Sequence, residues 1–341
     1  MSALLQHPEL ASAIQGGVPL VARPFAAVGE PLGLSEDAVL SALRQYRDDG
    51  RLREISAVLE GESFGWESAL VAGAIPAERL EAVAAIVGAH PNVTHNYERT
   101  HRFNLWFTLA VPPQMGLQRT LDLLERESDA GPFVPLPRTR TFKIAVRMDP
   151  KTKRNRSSHR KRTGPIPRVD ASPRDQALFR LLQTPLPFVP RPFEALAATQ
   201  GLGESELLAF ANAHEGGAMR RYAATFHHRK LGVGGNVMSA WQVPEERHGE
   251  VGEALAALGE VSHCYARTVV PEFPYPIYAM IHGPDVAACT AIAQEAAARL
   301  GVPAPAMLES IREFKKCRLR YFLPELDSWW NARAAEDGSE R

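Results

Sequence analysis

The sequence predicts an α+β protein made of two tandem copies of one unit. In each copy, a winged helix-turn-helix precedes a ferredoxin-like antiparallel sheet domain. The duplication rests on three pairs of similar segments, each pair separated by 168 positions: PLVARPF and PFVPRPF, GLSEDAVL and GLGESELL, THNYERT and SHCYART. A repeat of about half the chain is too long for a solenoid unit and is typical of a duplicated domain pair.

A basic segment separates the two copies. Residues 147–173 are rich in Lys, Arg, Ser and Pro and poor in apolar side chains, which is the composition of a linker. The predicted divisions are a winged helix-turn-helix at 1–55, a sheet domain at 56–148, a linker at 149–172, a second winged helix-turn-helix at 173–222, a second sheet domain at 223–330 and a tail at 331–341.

Each copy begins with helical patterns. In the second copy, SPRDQALFRLLQ opens with a serine cap at Ser172, has proline at the first helical position and shows helical apolar spacing. RPFEALAATQG and LGESELLAFANAHEGG each end at glycine, a common helix stop. Three short helices followed by the strand AMRRYAATF favour a winged helix-turn-helix.

The remainder of the second copy alternates between strand and helix patterns. We predict strands to about 227, at 236–243, at 261–268, at 276–282 and near 311–322, with helices at 245–258 and 284–300. From the second of these strands onward, this order is the one expected of a ferredoxin-like antiparallel sheet.

Bulk composition excludes some classes of protein. The chain has 341 residues, is 45% hydrophobic and 23% charged, and has zero formal net charge, so no global field attracts nucleic acid or membrane. Its three cysteines lack metal-binding spacing and indicate free thiols in a reducing compartment. Without a leader pattern or a long apolar run, we expect a cytoplasmic protein with no membrane partner.

Several long segments of the second copy resemble the siroheme decarboxylases. They are RRYAATFHHRKLGVGGNVMSAW, VPEE, SHCYAR, FPYPIYAMIHG and REFKKCRLRYF. In that family, two homologous subunits of the Lrp/AsnC type pair to act on siroheme, and this chain is similar to a fused form that serves d1-type haem biosynthesis. The resemblance is more specific in the second copy than in the first.

The resemblance implies a carboxy-lyase. The family removes carbon dioxide from the C12 and C18 acetates of siroheme and leaves 12,18-didecarboxysiroheme, for d1-type or alternative haem biosynthesis. The expected partners are siroheme and its product, with the two halves forming a pseudo-dimer that could associate further. No cofactor or metal of the protein's own is expected, because the iron belongs to the substrate.

Siroheme carries eight carboxylates, so its site needs convergent cations. Arginine suits this role because its fork matches a carboxylate. The second copy offers Arg220, Arg221, Arg229, Lys230, Arg267, Arg312, Lys315 and Lys316. Arg220 is also proposed as catalytic. Since alternate residues of a strand share a face, Arg220 and Arg221 face opposite ways and cannot both point at one ligand.

Decarboxylation also needs a proton for the methylene carbon that loses its carboxylate. Histidine can supply one near neutral pH, and His228 and His263 are the predicted acids. Period two places His263, Tyr265 and Arg267 on one strand face, where they would combine a proton donor, a phenol and a carboxylate clamp. The alternative is a core histidine beside a packed tyrosine.

The same H-x-Y-x-R pattern recurs in the first copy. It comprises His95, Tyr97 and Arg99, followed by His101 and Arg102, which we expect to reach the site from the partner half. A histidine could instead ligate the substrate iron, and His228, His263, His95 and His101 compete for that role. His282 is a further candidate, either as a pocket residue or as a residue that supports one. The aromatic residues Phe226, Trp241, Tyr275 and Tyr278 could line a macrocycle or form core.

The two copies differ at one turn. Where the second copy has FHHRKLG (226–232), the first has LEGESFG (59–65), so that Glu60 and Glu62 replace His227 and Arg229. Two glutamates would repel a substrate with many carboxylates. The sequence therefore predicts that the second copy carries the principal site.

Two other functions stay open. The first is a DNA-binding regulator of the Lrp type, but the predicted recognition helices SEDAVLSALRQYRDDG and GESELLAFANAHEGG are rich in acids, so DNA is not the expected partner. The second is a tetrapyrrole sensor that binds the same ligand without turnover.

Overall fold

The computed structural model describes residues 7–144, 147–148, 155–156, 166–226 and 235–337. In the first copy these form helices and strands in the following order: α1 Pro8–Gly16, α2 Pro24–Gly29, α3 Glu36–Asp48, β1 Leu52–Leu59, β2 Glu67–Gly73, α4 Leu80–Ala89, β3 Val93–Arg99, β4 Leu105–Val111, α5 Leu117–Ser128 and β5 Val134–Ile144.

Two short strands, β6 Arg147–Met148 and β7 Asn155–Arg156, pair with each other in the middle of the chain. The second copy then repeats the order of the first and adds a final helix: α6 Pro173–Leu182, α7 Pro192–Ala198, α8 Glu204–His214, β8 Met219–Phe226, β9 Gly235–Trp241, α9 His248–Ala257, β10 Val261–Arg267, β11 Ile277–Gly283, α10 Val286–Leu300, β12 Ala306–Lys316 and α11 Pro324–Asp337.

The described residues fall into two compact units that do not coincide with the two copies. One unit comprises the described parts of 1–64 and 145–233, and the other those of 65–144 and 234–341. The first unit therefore holds both sets of three helices, and the second holds both sheet domains. The predicted domain boundaries stay predictions, although two of them fall inside β1 and β8.

In the first unit, local sequence sets the helix starts. Ser172 and Asp175 form a reciprocal capping box at α6, with proline at the first helical position, as the sequence predicts. Ser35 likewise accepts a hydrogen bond from the backbone of Ala38 at the start of α3. The strand that follows each helix triplet does not pair within its own copy, as a wing would. Instead, β1 pairs antiparallel with β8 of the other copy. A single strand needs a partner for its backbone groups, and duplication supplies one.

In the second unit, eight strands form a closed barrel in the order β10-β11-β9-β12-β3-β4-β2-β5. The four strands of each copy follow the order and antiparallel pairing of a ferredoxin-like sheet, which confirms the predicted α+β fold class. The barrel closes because the edge strands pair across copies, β5 with β10 and β12 with β3. Closure leaves none of these eight strands with an open edge.

The last strand of each copy serves both sheets. The first part of β5, from Val134 to Pro137, pairs with β2, and the part from Arg138 to Ile144 pairs with β10. Strand β12 divides in the same way between β9 and β3. We call β5 and β12 the exchanged strands.

Inward-facing side chains from both copies form one core inside the barrel. Leu70, Trp106, Met238, Tyr278 and Leu308 belong to this cluster, and all are buried. Alternate residues of β9 and β10, such as Val237 and Cys264, face outward into a second core beneath α9 and α10. The side chains of β10 that lie on the face opposite Cys264 therefore point toward the barrel interior.

The end of the chain differs from its prediction. The final strand, expected near 311–322, spans Ala306–Lys316, because its first residues complete the sheet of their own copy. Residues 331–337, expected in a tail, continue α11, which begins at Pro324. Proline is well suited to the first turn of a helix. The helix packs on the first copy, where the rings of Trp329 and His90 lie 4.3 Å apart. Within the described residues, no helix is long and apolar enough to cross a membrane.

Candidate active site

His263, Tyr265 and Arg267 lie on one face of β10, and we call them the β10 strip. The intervening Cys264 and Ala266 face the outer core, so strand alternation turns the strip toward the barrel interior. The rings of His263 and Tyr265 lie 6.1 Å apart between centroids, and Arg267 Cζ lies 5.4 Å from the Tyr265 ring. The structure thus brings these three predicted site residues together, while their roles stay predictions.

Arg267 is held from two sides. Its Nη1 donates a hydrogen bond of 2.8 Å to the carbonyl of Leu136 on β5, and its Cζ lies 5.6 Å from the ring of Tyr278 on β11. Burial lowers the pKa of Arg267 to about 10, which still leaves it charged at neutral pH. Within the described residues, Arg267 Nε and the buried Tyr278 hydroxyl have no hydrogen-bond partner. Both are donors that an anionic ligand could use.

A serine links two histidines beside the strip. Ser262 Oγ lies 2.8 Å from Nδ1 of His263 and 2.6 Å from Nε2 of His282. One hydroxyl proton can serve only one of the two rings, so the serine couples their tautomers. The contact engages Nδ1 of His263 and so helps to hold its ring in place.

The first copy repeats this strip on β3 with His95, Tyr97 and Arg99, which we call the β3 strip. The rings of His95 and Tyr97 lie 6.2 Å apart, and Arg99 Cζ lies 5.2 Å from the Tyr97 ring. Thr94 Oγ1 lies 3.0 Å from His95 Nδ1, which matches the contact of Ser262 with His263. Burial lowers the pKa of Arg99 to about 10 as well. The duplication has therefore preserved the internal geometry of the strip.

The surroundings of the β3 strip come from the second copy. Arg99 Nη1 donates to the carbonyl of Leu308, at 2.8 Å, and to Ser310 Oγ, at 3.0 Å, both on β12. The Tyr97 hydroxyl donates to Glu313 Oε2 at 3.1 Å. An acidic side chain thus stands beside this strip.

Arg220, predicted as catalytic, lies in the other unit and already holds a carboxylate of the protein. Its Nε and Nη2 donate to Glu60 Oε2 at 3.2 and 2.5 Å. Glu60 is 9% exposed. This ion pair argues against a catalytic role for Arg220, and it also weakens the expectation that Glu60 repels the substrate from a first-copy site. Arg221 lies opposite Val58 in the β1–β8 ladder, and Glu62 is exposed.

The three cations predicted near the end of the second copy have structural partners. Arg312 pairs with Glu81 at 3.4 Å and with Glu98 at 3.3 Å. Lys315 donates to the carbonyls of Gly88 and His90 at the end of α4, at 2.7 and 2.9 Å. Lys316 lies 4.0 Å from Glu313. These contacts account for the first two side chains without a ligand.

The remaining first-copy residues pack into the barrel. His101 stacks on Phe103 and meets the edge of Phe273, and burial, followed by the nearby Arg102, lowers the pKa of His101. Arg102 Nη2 donates to the carbonyl of Glu272. A ring that resists protonation is a poor acid at neutral pH but is competent as an iron ligand.

The aromatic residues divide between cores. Trp241 belongs to the outer core beneath the helices and does not line the interior. Tyr275 and Tyr278 pack around Phe273 in the interior cluster. Phe226 packs against Tyr46 in the first unit, with ring centroids 6.1 Å apart.

Of the segment 226–232, which distinguishes the copies in sequence, residues 227–232 fall outside the described residues. His227, His228, Arg229 and Lys230 belong to it, so the predicted acid His228 and its basic neighbours stay predictions. Within the part of the chain that is described, no three His, Cys, Asp or Glu side chains form a group that could hold a metal. Which of the predicted histidines ligates the substrate iron, if one does, stays open as the sequence left it.

The recognition-helix positions carry carboxylates engaged by arginines. Glu36 in the first turn of α3 pairs with Arg23, and Glu204 in the first turn of α8 pairs with Arg191. These pairs repeat in both copies and place acids where a DNA-reading helix presents donors to phosphate. The absence of a DNA partner stays a prediction.

Sequence reasoning missed the residues contributed by the exchanged strands. Arg138 of β5 lies opposite Arg267, and Glu313 of β12 lies opposite Tyr97. Their positions depend on pairing between strands that are far apart in the chain, and a local pattern does not reveal such pairing. The only available signal was that the copies differ at these two positions.

Family comparisons now identify the relatives of this architecture. The model described as "Siroheme decarboxylase NirDL-like HTH domain" matches residues 9–53 and 175–220, and the one described as "AsnC-like ligand binding domain" matches 63–143 and 230–315. Together they cover both helical triplets and much of the barrel.

Among individual proteins, the chain is 36% identical to a siroheme decarboxylase of Hydrogenobacter thermophilus over 93% of this chain and 95% of that protein. It is 39% identical to a siroheme decarboxylase alpha subunit of Desulfovibrio desulfuricans over 41% of this chain and 82% of that subunit. The fold is similar to a crystal structure of the siroheme decarboxylase NirDL in co-complex with an iron-uroporphyrin III analogue, with a TM-score of 0.78, 32% identity and coverage of 96% of this chain and 98% of that one. The chain belongs to the siroheme decarboxylase family.

Proposed function

We propose that this protein is a carboxy-lyase that removes carbon dioxide from the C12 and C18 acetates of siroheme and yields 12,18-didecarboxysiroheme for d1-type or alternative haem biosynthesis. Family membership supports the substrate class and the reaction type. The observation that carries the proposal is the β10 strip, where an imidazole, a phenol and a charged guanidinium share one face.

The reaction balances with groups that this site offers. The bond between the acetate methylene and its carboxylate breaks, carbon dioxide leaves, and the electron pair passes to the macrocycle. A proton then converts the methylene carbon to a methyl group. The iron belongs to the substrate, and we propose no additional cofactor.

His263 is the proposed proton donor. Its Nδ1 is engaged by Ser262, which fixes the ring, and Nε2 is the nitrogen that we assign to the reacting carbon. Ser262 also contacts His282, so a proton lost from His263 can be replaced through the pair. A positioned acid of this kind contributes about 10²- to 10⁴-fold to a rate.

Anaerobic incubation of the purified chain with siroheme, followed by mass spectrometry of the ligand, tests the function. Loss of two carbon dioxide units is expected, whereas an unchanged ligand mass would support a sensor instead. His263→Ala should lower kcat by about 10²- to 10⁴-fold while siroheme remains bound. His228→Ala, made in parallel, tests the other predicted acid.

Two comparisons sharpen this test. His248→Ala removes a histidine that bonds the carbonyl of Val243 at the start of α9 and should leave turnover unchanged. His95→Ala, on the β3 strip, should reduce turnover far less than His263→Ala. Equal losses for His95→Ala and His263→Ala would contradict the second copy as the principal site. Full activity of both His263→Ala and His228→Ala would contradict the assignment of the acid.

A further inference from the structure

The exchanged strands give the two strips different neighbours. In the ladders, Arg138 of β5 lies opposite Arg267, whereas Ser310 of β12 lies opposite Arg99. Arg138 Cζ lies 5.9 Å from the ring of Tyr265, and Arg267 Cζ lies 5.4 Å from the same ring. Two cations therefore gather around one phenol ring in the second copy, where the first copy has one cation and a hydroxyl.

A second matched position changes the charge further. Thr141 lies opposite Tyr265, whereas Glu313 lies opposite Tyr97 and accepts the hydrogen bond of its hydroxyl. Lys316 is 4.0 Å from Glu313, so the two charges of this pair offset each other. Glu313 therefore places a carboxylate beside the β3 strip, whereas Arg138 places a second guanidinium beside the β10 strip.

A third position changes the available donors. Tyr278 pairs with Tyr265 across β11, and Trp106 pairs with Tyr97 across β4. Trp106 Nε1 donates to the carbonyl of Phe103 at 2.7 Å, so this donor is already used. Tyr278 is 2% exposed, and its hydroxyl has no partner among the described residues. Arg99 Nε is also without a partner there, so the copies differ in their neighbours and not in the strip arginine itself.

We propose that Arg138 and Arg267, together with the Tyr278 hydroxyl, form a clamp for one carboxylate of siroheme, and that the β3 strip lacks an equivalent. The clamp is composite, because one arginine comes from each half of the duplicated chain. This inference rests on the proposed function and adds a residue, Arg138, that completes the site from the other copy.

The clamp binds a carboxylate that the product retains. Paired arginines stabilise an ionised carboxylate, and they would stabilise the neutral carbon dioxide that leaves far less. A clamp on the reacting acetate would therefore stabilise the ground state and oppose cleavage. On a retained carboxylate, the same contact is made before and after reaction, so it contributes equally to the binding of substrate, transition state and product.

Arg138→Ser tests the clamp, because it installs the residue type found at the matched first-copy position. We expect siroheme binding to weaken by about 10- to 100-fold with little change in kcat, since a charge-assisted contact is lost in both ground and transition states. The decarboxylated product should lose the same factor. Arg138→Lys, which keeps the charge but not the fork, should recover part of the affinity.

Arg140→Ser is the matched control. Arg140 lies on the same strand, is exposed and pairs with Glu253 of α9 at 3.4 Å. Arg140→Ser therefore changes the net charge of the protein by the same amount as Arg138→Ser but removes no side chain beside the β10 strip. Affinity and turnover should stay at wild-type values. Equal affinity losses in Arg138→Ser and Arg140→Ser would overturn the clamp, as would a fall in kcat with unchanged binding.

The first copy provides a reciprocal test. Wild-type protein should bind one siroheme per chain, and the double variant Ser310→Arg with Glu313→Thr should add a second, measured by titration of siroheme absorbance. Two binding events in the wild type would overturn the asymmetry. Failure of wild-type turnover would contradict the proposed function instead, whereas turnover that is insensitive to Arg138→Ser would contradict only the clamp.

Discussion

Arg99 and Arg267 occupy equivalent positions, and burial lowers the pKa of each to about 10. Each donates to a backbone carbonyl of an exchanged strand, at Leu308 and Leu136 respectively. Their differences arise from the side chains that these strands place beside them. At the scale of a single residue, the surroundings of a strip arginine are therefore set by the exchanged strand of the other copy.

His90 provides a prediction at the same scale. Its ring is fully buried, its Nδ1 accepts the Asn92 backbone N–H at 3.1 Å, and Nε2 has no partner among the described residues. Burial, reinforced by Lys315 and Arg333, lowers the pKa of His90 to about 3 from an ordinary value of 6.5. The neutral ring therefore stabilises the fold above about pH 6.5, and this contribution is lost as the pH falls toward 3.

The variant His90→Leu should flatten this dependence. Leucine is the residue at the corresponding end of α9, where Leu258 caps the helix. In urea unfolding at a series of pH values, wild-type protein should lose unfolding free energy between pH 6.5 and 3 more steeply than the variant. A tenfold difference in proton affinity between the folded and unfolded states corresponds to about 1.4 kcal/mol. Parallel curves for the two proteins would show that His90 does not contribute to acid sensitivity.

At the scale of elements, each exchanged strand also caps a helix of the other copy. Lys143 on β5 is 5% exposed and donates to the carbonyl of Leu258 at the end of α9, at 2.7 Å. Lys315 on β12 does the same at the end of α4. A cation at a helix C-terminus interacts favourably with the unsatisfied carbonyls and the helix dipole.

Lys143→Met should lower the free energy of unfolding by about 1.5–3 kcal/mol, since it removes a charge-assisted hydrogen bond from the carbonyl at the helix end. Chemical denaturation monitored by circular dichroism measures the loss. Lys316→Met, at an exposed position of β12, should change stability by less than about 1 kcal/mol. Equal losses in the two variants would indicate that the helix cap contributes nothing beyond a surface charge.

The sequence alone predicts which residues share a strand face, because that depends only on local pattern. Period two correctly grouped His263, Tyr265 and Arg267, because strand alternation is a property of the segment itself. The positions of Arg138 and Glu313 beside the strips could not be predicted in this way, because they require the register between strands from different copies. Arg220 illustrates the same limit, since its partner Glu60 lies far away in the sequence.

At the scale of the whole molecule, the two copies complete each other's sheets. Three antiparallel ladders join the copies: β1 with β8, β5 with β10 and β12 with β3. Without its counterpart, each half would expose these strand edges. About two-fifths of the chain is similar to a siroheme decarboxylase alpha subunit, which agrees with a pseudo-dimer of two fused halves.

A cut in the predicted linker should therefore leave the molecule assembled. A protease site inserted between residues 157 and 165 allows cleavage of the purified chain, and the two fragments should coelute in gel filtration and retain turnover of siroheme. The uncut insertion variant is the control. Fragments that separate without denaturant would contradict the pseudo-dimer.

The same cut chain can locate the composite site. After denaturation, a first-half fragment with Arg138→Ser is refolded with a wild-type second-half fragment that carries His263. Because the clamp takes one arginine from each half, this mixture should bind siroheme about 10- to 100-fold more weakly than the wild-type mixture. Wild-type affinity would instead mean that the second half holds its substrate with its own residues, and that β5 contributes only backbone pairing to the site.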